Sequence, residues 1–182
     1  LERLVNDLEW TATSATWLLV IASGLGTIGL LIGGRLADVV GRRQAAALGI
    51  LVGLAGGVGF YFVDSTLLLG VTVFLGTLGA TMLTPAFAAQ RSELFPTRVR
   101  ASAGGFITNA GIVGSILGFL IGAVVVDTIG LSRTVAFLGL GLLAAVWLVF
   151  QLPETKGRVL VESYATPAEV EEPAWVEEAR PD

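Results

Sequence analysis

Apolar residues run along this chain in blocks of about twenty, separated by short charged clusters and without period-two alternation. A helix needs about 20 mostly apolar residues to cross the hydrocarbon core of a bilayer. Five segments meet that demand: 13–34, 44–63, 67–90, 102–126 and 134–152, here called spans A to E. Each is too long for a barrel strand, and in lipid a helix is the remaining form that satisfies every backbone N–H and C=O internally. The pattern predicts an all-α membrane protein with five transmembrane helices. Composition agrees, since 54% of residues are hydrophobic and 14% charged, where a soluble domain carries about 25% charged residues. Gly occurs 24 times among 182 residues, about double its usual share, which suits helices packed closely in a membrane.

Polar residues within the spans are unevenly shared. Span A holds Ser14, Thr16, Ser23 and Thr27, span C holds Thr72, Thr77, Thr81, Thr84 and Gln90, and span D holds Thr108, Asn109 and Ser115. Spans B and E hold none between Ala45 and Val63 or between Val135 and Phe150. Lipid tails offer a hydroxyl or amide no partner, so A, C and D are predicted to be interior and B and E peripheral. Ser23, Thr27, Thr77, Thr81, Asn109 and Ser115 are the candidate lining of a solute path; bonding to their own backbone or tightening helix packing is the alternative for each. Pro85 removes a backbone hydrogen bond late in span C and predicts a kink. Gly114, Gly118 and Gly122 in D, and Gly29 and Gly33 in A, recur every fourth residue and predict close helix packing.

Charge sorts the connections onto two sides. Arg35, Arg42 and Arg43 lie between A and B, Arg91, Arg98 and Arg100 between C and D, and Lys156 and Arg158 after E, whereas the B–C turn carries Asp64 and the D–E turn Asp127 and Arg133. Basic residues near span ends mark the cytoplasmic face, so a multi-pass chain with a cytoplasmic C-terminus in the plasma membrane is expected. Residues 1–12 read as the end of an extracellular loop and 13–158 as the helical bundle. Residues 159–182, with seven acidic and one basic residue, read as a disordered acidic cytoplasmic tail. The opening Leu1, the absence of a signal peptide and the odd number of spans together lead us to expect a chain that begins partway through a longer protein.

Three groups of residues at the basic ends carry more than charge. Between A and B stand Gly34, Asp38, Gly41, Arg42 and Arg43: Gly41 permits a tight turn, Asp38 can accept from the N-terminal end of a neighbouring helix, and the arginines can pair with carboxylates. Between C and D stand Glu93, Pro96, Arg98 and Arg100, followed by Gly104 and Gly105. After E come Pro153, Glu154, Lys156, Gly157 and Arg158. The first group resembles the signature loop of the major facilitator superfamily, and the other two resemble elements in the second half of its sugar-porter and organic-ion branches.

The resemblance implies that A to E correspond to spans eight to twelve of a twelve-helix fold, the C-terminal half of a secondary transporter that works by alternating access. It also implies that Asp38, Arg42 and Arg43 pair with Glu93, Arg98 and Glu154 in a cytoplasmic lock. Sugar porters carry a Trp ahead of the Glu where this chain has Ala88, with Thr84 and Phe87 replacing the Gly and second Pro around Pro85, so the aromatic that stacks on a sugar is absent. Organic acids, organic ions, metabolites and drugs therefore stand beside sugars as solute classes, and symport beside uniport and antiport. The partners implied are a small-molecule solute, the lipid bilayer and an N-terminal half of the transporter, with no nucleic acid and no cofactor. With no Cys or His in the sequence and no carboxylate inside a span, an enzyme is not expected. A non-transporting scaffold or degenerate half, and a channel, stay open as alternatives.

Overall fold

A computed structural model describes residues 10–156 together with Leu4. Most of the 1–12 segment, Gly157, Arg158 and the 159–182 tail lie outside the described residues. The described residues form helices and no strands: α1 (Ala12–Gly26), α2 (Gly29–Val39), α3 (Arg42–Gly59), α4 (Thr66–Leu94), α5 (Thr97–Ile129) and α6 (Leu131–Gln151). Because α1 and α2 make one rod, these are the five rods read from the sequence. Four of them, Ala12–Val39, Thr66–Leu94, Arg98–Ile129 and Leu131–Gln151, are long and apolar enough to cross a membrane. The fifth, α3, is apolar from Ala45 onward but opens with Arg42, Arg43 and Gln44.

Rod ends differ from the hydropathy limits for physical reasons. Helix α5 continues through Asp127 and α6 begins before Arg133, so the two meet at Gly130, whose φ of 80° makes the turn in one residue. Hydropathy marks where apolar side chains stop; backbone hydrogen bonding carries the helix further. Span A contains a break that its apolar run does not reveal. At Thr27 and Ile28 the backbone bonds tighten to a three-residue step, with Thr27 N–H donating to Gly24 C=O at 3.2 Å and Ile28 N–H to Leu25 C=O at 3.2 Å. Helix α4 runs on through Pro85.

Packing centres on α4, which contacts α1, α2 and α3, while α6 lies against α3 and α5. Glycine lets α3 and α4 meet backbone to backbone. A Cβ on Gly79 would sit 2.1 Å from the Gly53 nitrogen, and one on Gly56 would sit 2.1 Å from the Gly76 nitrogen. Helix α2 closes on the same partner, since Cβ atoms on Gly29 and Gly33 would come within 2.4 Å of Leu78 and Met82 carbonyl oxygens, respectively. Of the two glycine series predicted to pack, that in span A therefore does. In span D, Gly114 and Gly118 face open space, and Gly122 meets only Leu138.

Burial within this chain follows a different pattern from span polarity. Span B, predicted to be peripheral, buries Ala45, Ala46, Ala47, Gly49, Ile50 and Gly56, because small apolar residues give α4 its closest seat. Span D, predicted to be interior, has no buried residue among those described in α5, because α5 leans on α6 and only grazes α4. Polarity reports which helix needs a protein or water neighbour, whereas burial within this chain reports which neighbours the chain supplies.

The glycine contact makes a quantitative prediction. Ala at a helical Gly normally stabilises by roughly 0.5–1 kcal/mol, and Gly57→Ala, with nothing near its Cβ, should follow that rule. Gly79→Ala should instead destabilise by about 1–3 kcal/mol, because the overpacked backbones have to separate. Thermal unfolding of the two variants in detergent would show the opposite signs.

Candidate functional site

At the arginine-bearing end of the bundle, α2, α3, α4 and α6 converge on a small apolar cluster of Ala37, Ala45, Ala46, Ile50, Ala86 and Val149. Just beyond it lies a charged junction. Gly41 separates α2 from α3 with φ 124° and ψ 156°, a region open in practice to glycine alone. Its second constraint is space: a Cβ there would lie 2.8 Å from Glu154 Oε2.

Glu154, three residues beyond the end of α6, places its carboxylate on the start of α3. Arg42 N–H donates to Oε1 at 2.9 Å and Arg43 N–H to Oε2 at 3.2 Å, while Thr155 and Lys156 N–H groups donate to Oε1 at 3.0 and 3.1 Å. The first N–H groups of a helix have no intrahelical acceptor and carry the positive end of its dipole, so a carboxylate there satisfies both needs. Burial pushes the Glu154 carboxyl up, but the N–H donors of Arg42, Lys156, Arg43 and Thr155 outweigh it and hold the group below the ordinary carboxylate value. The same segment reaches back to α2, where Lys156 Nζ donates to the Val39 carbonyl, and Gln90 of α4 donates to Pro153 C=O at 3.5 Å.

The Arg42 side chain is the second joint. Its NH1 donates to Ala37 C=O at 2.7 Å and pairs with Asp38 Oδ1 at 2.8 Å, and its NH2 pairs with Glu93 Oε1 at 2.9 Å. Arg42 and Glu93 side chains are 13% and 12% exposed, against 74% for Asp38, so the first pair carries the weight and the second sits in solvent. Arg42 Nε and Glu93 Oε2 are buried without partners among the described residues. The Arg43 guanidinium lies over the Phe150 ring at 5.4 Å, a cation–π contact.

Of the residues read from the sequence for this end, the structure joins Asp38, Gly41, Arg42, Arg43, Glu93 and Glu154. Helix-terminus acceptance falls to Glu154, and Asp38 pairs with Arg42 instead. Gly34 lies within α2, its Cβ position 3.8 Å from Pro85. Arg98 is exposed and forms no ion pair among the described residues. Lys156, of the third residue group, joins this end through Val39, and Phe150 joins it through Arg43, an aromatic with no legible signal in an apolar span.

The six candidate path residues are not brought to one place. Ser23 donates to Leu19 C=O, Thr27 to Gly24 C=O at 2.6 Å, Asn109 to Gly105 C=O at 3.0 Å and Ser115 to Gly111 C=O at 3.0 Å, all within their own helices. Thr81 donates across to Gly26 C=O at 2.9 Å as well as locally, and Thr77 packs against Gly26. Asn109 and Ser115 stand exposed on α5.

Removing Glu93 should leave Arg42 NH2 without its partner and the guanidinium with only the exposed Asp38 as counter-charge, so Glu93→Ala is expected to cost about 1–3 kcal/mol, while Asp38→Ala should cost under about 1 kcal/mol. Denaturation of the purified protein measures both. The depressed Glu154 carboxyl contributes stability that is fully present above the ordinary carboxylate value and lost as pH falls through the folded-state value. Melting temperature should therefore drop as pH falls from the ordinary carboxylate range through the lower folded-state value, and Glu154→Gln should remove part of that dependence.

In comparisons with known proteins, the family model described as Major Facilitator Superfamily matches residues 1–177. No curated protein matches the chain.

Proposed function

The chain belongs to the Major Facilitator Superfamily, and on that premise we propose that it is the C-terminal half of a secondary transporter, its five rods standing as spans eight to twelve of twelve. As a family member it is an integral, multi-pass membrane protein of a transporter class. In the proposed reading, it moves a small organic solute across the plasma membrane by alternating access, with the arginine-bearing end in the cytoplasm. It works together with an N-terminal half.

The observation that carries this reading is the junction at Arg42. One guanidinium ties the α2–α3 elbow to the end of α4 through Glu93, and one carboxylate ties the end of α6 to the start of α3. Four rod ends are held by side chains from distant parts of the chain, so rocking of the bundle loads these contacts directly. The bridge from Arg42 to Glu93 is a single hydrogen bond with spare buried groups on both partners, not the two-bond fork of the strongest Arg–carboxylate pairs. Such a contact suits a joint made in one conformation and loosened in another. The six hydroxyl and amide residues of spans A, C and D remain the proposed path lining, which places the solute between this half and its partner.

The test is a solute panel in vesicles containing the full-length protein, with and without a proton gradient. Accumulation of at least one organic solute above empty vesicles is expected, and gradient dependence would assign symport or antiport. Glu93→Gln should shift accessibility toward the inward-open form and reduce uptake; Asp38→Asn should do so more weakly, given its exposure. Flat uptake across the panel, with cytoplasmic labelling unchanged in both variants, would favour a non-transporting scaffold.

A further inference from the structure

A second feature of the arginine-bearing end lies outside that junction. Between the ends of α4 and α6 and the first turns of α5 is a half-open cleft of about 480 Å³, a size typical of small-ligand sites. Phe87, Leu94, Phe95, Ile107 and Leu152 make its walls. It sits where the apolar rods Thr66–Leu94 and Leu131–Gln151 end, so its mouth lies at the boundary between hydrocarbon and head groups.

Its polar groups are arranged unusually. Arg91, which lines the cleft, donates its Nε to the carbonyl of Phe87 at 3.3 Å, and Arg100 donates its Nε to the carbonyl of Phe95 at 3.3 Å. Each arginine is thus tethered by Nε to a wall phenylalanine. Their terminal nitrogens have no partner among the described residues, and neither residue forms an ion pair there. The nearest carboxylate in sequence, Glu93, is committed to Arg42. Gln90 also lines the cleft, and its Oε1 is buried with no hydrogen-bond donor among the described residues.

We propose that the cleft binds an anionic phospholipid with a hydroxylated head group, of the phosphatidylglycerol type. One acyl chain lies along the phenylalanine walls, where it removes apolar surface from contact with water or head groups. The phosphodiester takes the free guanidinium nitrogens of Arg91 and Arg100, which match phosphate geometry better than a point charge does. Basic pockets between membrane helices recognise anionic lipids through this combination of charge and apolar depth. A head-group hydroxyl supplies the donor that Gln90 Oε1 lacks.

The test uses the full-length transporter in detergent with dioleoyl phosphatidylglycerol or dioleoyl phosphatidylcholine, read by native mass spectrometry and melting temperature. Bound phosphatidylglycerol should exceed phosphatidylcholine by about tenfold or more, the expectation for two arginines at a membrane surface. Arg91→Gln combined with Arg100→Gln should bring the two lipids to parity, and the corresponding double Lys variant should keep part of the preference. Ile107→Trp, which fills the cleft, should reduce binding of both lipids. Equal binding of the two lipids to the unaltered protein, or a preference that survives the double Gln variant, overturns the proposal. So does stabilisation by soluble glycerol 3-phosphate equal to that by the lipid, which would indicate a site for free phosphate. If Ile107→Trp lowers the melting temperature while lipid binding holds, another part of the transporter covers the cleft and the proposal fails.

Discussion

Hydrocarbon offers no hydrogen bond, so each polar group in a membrane-spanning bundle has to find its partner inside the protein or turn toward water. In this chain the constraint is met in two different ways at two depths. Within the rods, hydroxyl and amide groups mostly bond a carbonyl three or four residues back in the same helix, as Thr16, Ser115 and Thr134 do. At the arginine-bearing end, partners come from far away along the chain: Arg42 meets Glu93 and Glu154, and Lys156 meets Val39. Local bonds depend on one helix alone, whereas distant bonds hold separate rod ends together.

The glycines and the junction are two parts of one arrangement. Because Gly53, Gly56, Gly76 and Gly79 let α3 and α4 touch along their backbones, the start of α3 is brought to the end of α4, within reach of Glu93. Because Gly41 takes a backbone conformation closed to other residues and leaves room for a carboxylate, Glu154 can approach the same helix start from α6. Placing a side chain at Gly41 would strain the turn and expel the group that completes it.

How much of this was legible in the sequence follows from the range of each interaction. Five apolar rods and their charged elbows were legible because bilayer thickness sets the length of each run and acts on each independently. The meeting of Arg42 with Glu93 came only through resemblance, since 51 residues separate them and no local rule joins them. The sequence reading set Asp38 against a helix terminus; that place belongs to Glu154, and Asp38 pairs across the Gly41 elbow with Arg42 instead. The α3–α4 contact had one legible half, since Gly49, Gly53 and Gly57 recur every fourth residue in α3. Spacing does not say which series finds a partner: Gly49 and Gly53 meet α4, whereas the equally regular Gly114 and Gly118 meet nothing.

Helix α5 shows why burial alone misleads about a membrane helix. It is the most uncovered rod, with no buried residue among those described, and it also carries Asn109. Were that amide dependent on a neighbouring helix, uncovering α5 would orphan it at a cost of about 1–3 kcal/mol. Its Nδ2 instead donates to Gly105 C=O, and Thr108 and Ser115 donate to Gly104 and Gly111 C=O. Each acceptor is a glycine carbonyl one turn back, where no side chain crowds the approach. Donors satisfied in this way stay paired whether the helix faces water, lipid or a second protein surface. That independence is the opposite of the interdependence at Arg42, whose side-chain partners come from α2 and α4.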